Sequence, residues 1–101
     1  MVLKYKNETV MVTNTNNVNI LKYKFQKLYY AIIIDKCNSY SSILNKQRID
    51  VLMVDDDFKV LSIKRDMHEN TIYKNSRAKK TILLPLGKFS DLKVNEKLLL
   101  E

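Results

Sequence analysis

Glycine, proline, cysteine and histidine each occur once in this chain of 101 residues, and tryptophan does not occur at all. A single glycine, Gly87, excludes the glycine-rich loops that cradle nucleotide phosphates. One histidine, His68, and one cysteine, Cys37, cannot supply a Cys/His zinc site. One cysteine also excludes an internal disulfide, which favours a reducing compartment.

Long hydrophobic runs are absent as well. No apolar stretch approaches the roughly 18 residues that cross a bilayer, and the first residues lack the apolar core of a signal peptide. We therefore expect a soluble, cytoplasmic protein without a membrane span. The length suits one domain over residues 1–101, with a core large enough to fold without metal. No cofactor is expected.

Negative charge is scarce, because 11 acidic residues face 18 basic ones and leave a net charge of +7. A basic surface attracts the phosphates of nucleic acids or anionic lipids. However, Lys far outnumbers Arg, which is the better phosphate ligand. The chain is also rich in Asn, Ile and Tyr, whose codons, like those of Lys, are A/T-rich. Compositional bias of the genome therefore explains the charge better than a basic function does, and both explanations stay open.

An acidic turn between two apolar runs occupies the middle of the chain. Residues 49–54 are apolar except for Asp50 and rich in branched side chains, as in a strand buried on both faces. The aspartates at 55–57 favour a turn, since their side chains bond nearby backbone N–H groups. Residues 58–64 then form a second apolar run. This pattern predicts a β-hairpin, which we expect to form the inner part of a compact sheet.

Further strands are predicted from short apolar runs and the turns that separate them. The strand at 80–84 stops at Pro85, which cannot donate to a ladder, and Gly87 after it predicts a backbone position that tolerates no Cβ. The remaining predicted strands are 2–6 and 8–13 as a first hairpin, 28–34 as a central strand, 71–73, and 98–100 as a last strand.

One helix is predicted near the N-terminus. Val18, Leu21, Phe25 and Leu28 are spaced by three, four and three residues, which fits one helical face. Polar residues before them are suitable N-caps, so the pattern predicts a short helix over residues 17–27. The predicted fold class is α+β: a single domain of mostly antiparallel strands with one short N-terminal helix.

The order of these segments resembles domain-of-unknown-function family 192, a family of small β-rich domains. The residues that carry the resemblance are Ile49-Asp50, the aspartates at 55–57, Val60, Leu86-Gly87, Asn95-Glu96, the segment 10–15 and the strand 28–34. The family's Gly-Leu-Met and Trp-Met-Lys-Asn segments are replaced by residues 22–24 and 41–45. If those family residues line a pocket, this chain has lost or altered it. The family implies no established activity.

Candidate catalytic residues are few. Cys37 and His68 are conceivable as nucleophile and base, but no local signature accompanies them, and we assign no catalytic residue. The aspartates at 55–57 cannot all face one ion, so no metal site is assigned. Asp50 is expected to be structural, and Arg48, two residues earlier on the same strand face, is one possible partner.

Two binding hypotheses remain, and they use different residues. The first is a non-enzymatic binding module with a concave apolar patch formed by Tyr29, Tyr30, Phe58 and Tyr73. The alternative is a basic nucleic-acid-binding domain, in which aromatic residues alternate with cations. It predicts that five cationic residues share one face: Lys24, Lys27, Arg77, Lys79 and Lys80. An unmatched edge strand would allow a homodimer, so monomer and homodimer both stay open.

Overall fold

The computed structural model describes residues 1–16, 19–24, 27–45, 47–68 and 70–101. Seven strands form one curled sheet, a half-barrel with the order β6-β5-β8-β3-β2-β1-β9, and β4 pairs separately with β7. The elements are β1 Val2–Tyr5, β2 Glu8–Thr15, α1 Leu21–Lys24, β3 Ala31–Asp35, β4 Ser39–Ser41, β5 Ile49–Val54, β6 Val60–Met67, β7 Ile72–Lys74, β8 Lys80–Leu84 and β9 Leu99–Leu100. Within the described ranges, no helix has the length and apolar character that crossing a membrane requires.

The predicted α+β class is wrong, because strands hold 48% of the residues and helix only 4%. In the described part of the predicted helix, α1 provides a single turn; residues 17, 18, 25 and 26 lie outside the described residues. Leu21, one of the four residues on the predicted helical face, is 49% exposed, whereas Tyr23, which is not among them, packs against the core. Of the two described residues with this spacing, Leu28 is therefore buried and Leu21 is not.

The segment between β2 and β3 is a crossover connection. These strands pair in parallel, with Val12 opposite Ala31 and Thr15 opposite Ile34. Parallel neighbours cannot be joined by a tight turn, so the chain must return along the sheet before it re-enters. Residues 16–30 make this return, and α1 lies within it. The other strand pairs are antiparallel.

Both predicted hairpins are confirmed. β1 pairs with β2, and β5 pairs with β6 across a turn in which the Asp55 carboxylate accepts the N–H groups of Asp57 and Lys59 at 2.9 and 3.0 Å. All six residues of β5 are buried. The predicted inner position holds for β5 only, because β6 is an edge strand and β8 and β3 occupy the middle of the sheet.

Hydrophobic clusters cover both faces of the sheet. Side chains alternate across a strand, and Ile33 and Leu52 belong to one cluster while Ile32 and Val51 belong to the other. The first cluster is completed by residues 88–101, which we call the C-terminal segment and which contribute Phe89, Leu92 and Leu98. The second cluster is completed by side chains from the loops and short strands: Leu28, Cys37, Tyr40 and Ala78.

The C-terminal segment bonds to both sides of the curled sheet. Next to β6, the Val60 N–H donates to the Glu96 carbonyl at 2.8 Å, and the Leu98 N–H donates to the Phe58 carbonyl at 3.0 Å. Two residues later β9 pairs with β1, with Leu100 opposite Leu3. This segment therefore covers backbone groups at both edges, which would otherwise be open to pairing with another chain.

Gly87 is required for its backbone conformation and not for space. Its φ is 84°, a left-handed value that side chains with a Cβ adopt at a cost. A Cβ built on Gly87 meets no atom within 4 Å, so the predicted intolerance of a Cβ arises from the left-handed backbone conformation and not from a steric clash. The left-handed turn directs the Gly87 N–H at the Asp50 carboxylate, 2.9 Å away.

Tyr40 predicts a loss of stability in alkali. Its side chain is 3% exposed, its hydroxyl donates to Asn45 at 2.8 Å, and burial raises its pKa to about 12. Because the folded state holds the phenolic proton more tightly, this stability is present below pH about 10 and is lost as pH rises through about 12. A pKa raised to about 12 corresponds to roughly 3 kcal/mol of stability at neutral pH.

Urea unfolding of the wild type and of Tyr40→Phe, repeated from pH 9 to 12, measures this contribution. The variant lacks the titrating group, so the stability gap between the two proteins should shrink as pH rises. A gap that stays constant over this range would contradict the assignment.

Candidate ligand-binding surface

Tyr29 is the most exposed large hydrophobic side chain among the described residues, at 75%. It lies at the end of the crossover, immediately before β3. On one side the Leu28 N–H is held by the Gln47 side-chain oxygen at 2.8 Å, and on the other Tyr30 packs against the core. Because both neighbours are fixed, the backbone directs the Tyr29 ring into solvent.

Two grooves meet at this ring, and we call their combined lining the Tyr29 surface. The smaller groove, of about 360 Å³, is lined by Met11, Val12, Thr13, Tyr29 and Tyr30. The larger groove, of about 810 Å³, is lined by Lys27, Leu28, Tyr29, Gln47, Arg48, Pro85 and Leu86. The surface thus extends from β2, across the end of the crossover, to the turn after β8.

Exposed apolar side chains are grouped on this surface. Met11 is 64% exposed and Leu86 is 55% exposed, and each shares a groove with Tyr29. Single exposed apolar residues are normal on proteins, but a contiguous group with a polar rim is typical of an interaction site.

The charged groups of the Tyr29 surface are cationic. The Lys27 ammonium lies 5.5 Å from the centre of the Tyr29 ring, within range of a cation–π interaction. Arg48 lines the larger groove, and its guanidinium donates to the carboxylate of Asp66 at 3.3 Å. Asp66 itself does not line the groove. Among the residues that line the two grooves, no acidic side chain occurs. The surface therefore combines an apolar floor with positive charge at one end.

The predicted apolar patch is divided in the structure. Tyr29 and Tyr30 line the same groove. Phe58 packs against the first hydrophobic cluster, beside the C-terminal segment. Tyr73 lies in β7 opposite Tyr40 and packs against the second cluster, where burial raises its pKa.

The five cationic residues of the nucleic-acid hypothesis occupy different surroundings. Lys24 is 8% exposed, and its ammonium donates to the carbonyls of Ser41 and Ile43 at 2.7 and 3.0 Å; burial lowers its pKa. Lys27 belongs to the Tyr29 surface. The other three follow one another along the turn that leads into β8 and along its first residue: Arg77, Lys79 and Lys80.

Comparison of the chain with models of protein families, with curated proteins and with solved structures finds no match. The resemblance to family 192 therefore stays a prediction.

Asp50 is buried, and its partner is Arg65 instead of the predicted Arg48. The carboxylate, 1% exposed, accepts the Arg65 guanidinium and the Gly87 N–H at 2.9 Å each and the Asp66 N–H at 2.8 Å. Arg65 also donates to the carbonyls of two residues in the C-terminal segment, Lys88 and Phe89. These bonds join β5, β6 and the turn after β8, so the geometry of Asp50 is that of a structural group.

Cys37 and His68 are placed differently from each other. The Cys37 side chain is 2% exposed, and its thiol donates to the Ser39 carbonyl at 3.1 Å. The His68 side chain is exposed, and its backbone carbonyl accepts the Thr71 hydroxyl at 2.8 Å. In the described ranges, no group of three or more His, Cys, Asp or Glu side chains could hold a metal ion.

Eight of the eleven residues that line the Tyr29 surface were not predicted as site residues. Three of the eight carry its exposed apolar or charged groups: Met11, Arg48 and Leu86. Met11 and Leu86 carried no sequence signal, because an exposed apolar residue in a strand or turn reads as an ordinary core residue. The position of Arg48, directly before a predicted buried strand, did indicate a specific role. That signal indicated a partner for Asp50, because the strand neighbours of β5 were unknown.

Proposed function

We propose that the protein is a non-enzymatic binding module and that the Tyr29 surface is its ligand site. The observation that carries this proposal is the grouping of Met11, Tyr29 and Leu86, all more than half exposed, around two grooves that share one aromatic ring. Surfaces of this kind stabilise a complex by desolvating a few large side chains at their centre.

The chemistry of the surface favours an acidic partner with bulky apolar side chains. Lys27 and Arg48 supply positive charge at one end, and the net charge of +7 steers anionic partners toward the protein. Apolar side chains of the partner would fill the grooves beside Met11 and Leu86.

A protein segment fits this surface better than a nucleic acid. Binders of single-stranded nucleic acids stack successive bases on several aromatic rings. On the Tyr29 surface one ring is fully presented, because Tyr30 is partly buried. The remaining floor is aliphatic, formed by Met11, Pro85 and Leu86.

Tyr29→Ser is expected to weaken partner binding by about tenfold or more, because a central aromatic residue of this exposure contributes above 1.4 kcal/mol at interfaces. The probe is a fluorescein-labelled peptide in which Glu and Asp alternate with Leu and Phe. Fluorescence anisotropy at low salt gives its Kd for the wild type and the variant.

Ile72→Ser is the matched control, because Ile72 is also an exposed apolar residue, at 66%, and lies in β7 away from the residues that line the grooves. It should leave the Kd within about twofold. A peptide with Lys in place of the acids should not bind. Equal losses in both variants, or tighter binding of a twelve-residue oligothymidylate than of the acidic peptide, would overturn the proposal.

A further inference from the structure

Another groove, of about 760 Å³ and separate from the two grooves of the Tyr29 surface, lies at the opposite end of β3 from Tyr29. Three chain segments build it: the end of β3 with the residues after it, the turn of the central hairpin, and the residues that lead into β8. Its polar lining, which we call the lysine groove, is Asp35, Lys36, Asn38, Asp56, Lys79 and Lys80.

Backbone hydrogen bonds fix these three segments to one another. The Cys37 N–H donates to the Lys79 carbonyl at 3.1 Å, and the Lys79 N–H donates to the Val54 carbonyl at 2.8 Å. The Asn75 N–H donates to the Asn38 carbonyl at 2.9 Å. The walls of the groove are therefore preorganised, and a ligand would not have to order them.

The charges in the groove are unevenly compensated. Lys80 bonds Asp35 at 3.1 Å, and Asn14 adds a second bond to the same carboxylate. Desolvation alone would raise the pKa of Asp35, but the bonds from Asn14 and Lys80 outweigh it and lower the pKa. Neither Lys36 nor Lys79 has an ion pair with a described residue.

Lys36 occupies a strained position. Its φ is 51°, in the left-handed region that residues with a Cβ seldom adopt. Such outliers persist where the surrounding structure holds them, and they are frequent at ligand sites. Here the bond from the next residue, Cys37, to Lys79 holds the strained segment against the start of β8.

We propose that the lysine groove binds a small phosphomonoester that carries hydroxyl groups. Lys36 and Lys79 face the phosphate, since two ammonium groups that make no salt bridge with a described residue suit a dianion. The Asp56 carboxylate accepts hydroxyl hydrogens from the rest of the ligand, and the Asn38 amide can donate or accept beside it. A bare phosphate ion lacks the sugar hydroxyl groups that bond Asp56 and Asn38, so the groove favours the ester.

The first experiment titrates the full chain with ribose 5-phosphate, inorganic phosphate and ribose, followed by ¹H–¹⁵N NMR at low salt. Ribose 5-phosphate should bind most tightly, with the largest shifts at residues 35–38 and 78–80, and ribose should not bind. Lys36→Gln with Lys79→Gln should weaken binding by about tenfold or more. The control, Lys64→Gln with Lys93→Gln, removes the same charge at two exposed positions outside the groove and should change the Kd by less than about twofold.

The second experiment compares Asp56→Asn with Asp57→Asn, because the two aspartates are adjacent and exposed but only Asp56 lines the groove. Asp56→Asn should lower the preference for ribose 5-phosphate over inorganic phosphate several-fold, and Asp57→Asn should not. Equal effects of each variant and its control would overturn the proposal. So would shifts spread over the whole surface, or binding of the twelve-residue oligothymidylate but not of ribose 5-phosphate.

Discussion

Replacing Asp50 with alanine is expected to lower the free energy of unfolding by about 3–5 kcal/mol. The carboxylate accepts three hydrogen bonds at 2.8 to 2.9 Å while it is 1% exposed. Alanine would leave the Arg65 guanidinium without its countercharge and two backbone N–H groups, those of Asp66 and Gly87, without an acceptor. Each donor left without an acceptor costs desolvation energy, which water returns only in part, since the Arg65 side chain is 33% exposed.

Urea unfolding followed by circular dichroism measures this loss. Asp50→Asn keeps one acceptor oxygen and the shape of the side chain, so it should be less destabilising than Asp50→Ala. Asp57→Ala is the surface control, because its side chain is exposed, and it should change stability by less than about 0.5 kcal/mol. A loss for Asp50→Ala no larger than that of the control would show that the network contributes little to stability.

Asp50 also marks what the sequence could and could not predict. An acid inside an apolar strand predicted a structural carboxylate that either faces solvent or is buried with a partner, since no unpaired charge is stable in the core. The identity of its partner depended on which strand lies beside β5. Arg65 becomes the partner because β6 pairs antiparallel with β5 and places it there, and that register is set by bulges that no local pattern reveals.

The same distinction applies to the rest of the fold. The run at 80–84 and the first hairpin were predicted because strands and turns depend on neighbouring residues. The crossover was not, because the parallel pairing of β2 with β3 is a contact between distant segments. The connection between these strands packs Tyr23 against the core and buries Lys24, whereas Leu21 is exposed. Tertiary packing therefore overrides the local helical spacing.

The composition of the candidate sites was even less predictable from local sequence than the fold. Tyr29 and Tyr30 are adjacent in sequence and equally aromatic, yet one is exposed and the other packs against the core. The residue before them, Leu28, bonds the Gln47 side chain, a contact between distant segments that no local pattern indicates. Lys79 and Lys36 meet in one groove because β3 and β8 are antiparallel neighbours, a pairing that sequence separation conceals.

Phe89→Ala is the second substitution with a large expected effect, a loss of about 3–5 kcal/mol. The Phe89 side chain is 0% exposed and lies in the first hydrophobic cluster, with its ring in an edge contact to Tyr5 at 6.0 Å between ring centres. Its backbone carbonyl accepts the Arg65 guanidinium. Phe89 therefore fixes the C-terminal segment to the sheet through both its ring and its backbone.

The expected loss has two parts that different variants separate. Phe89→Leu refills most of the volume and should cost roughly half as much in urea unfolding. Leu86→Ala, three residues earlier and 55% exposed, should cost less than about 0.5 kcal/mol.

Because the segment bonds backbone groups beside β6 and on β1, Phe89→Ala should also raise amide exchange rates. The amides expected to respond are those of Val60 and Leu98, whose bonds join the segment to the start of β6. If those amides stayed as protected as in the wild type while global stability fell, Phe89 would support the core alone. The attachment of the C-terminal segment would then depend on its backbone bonds to β6 and β1.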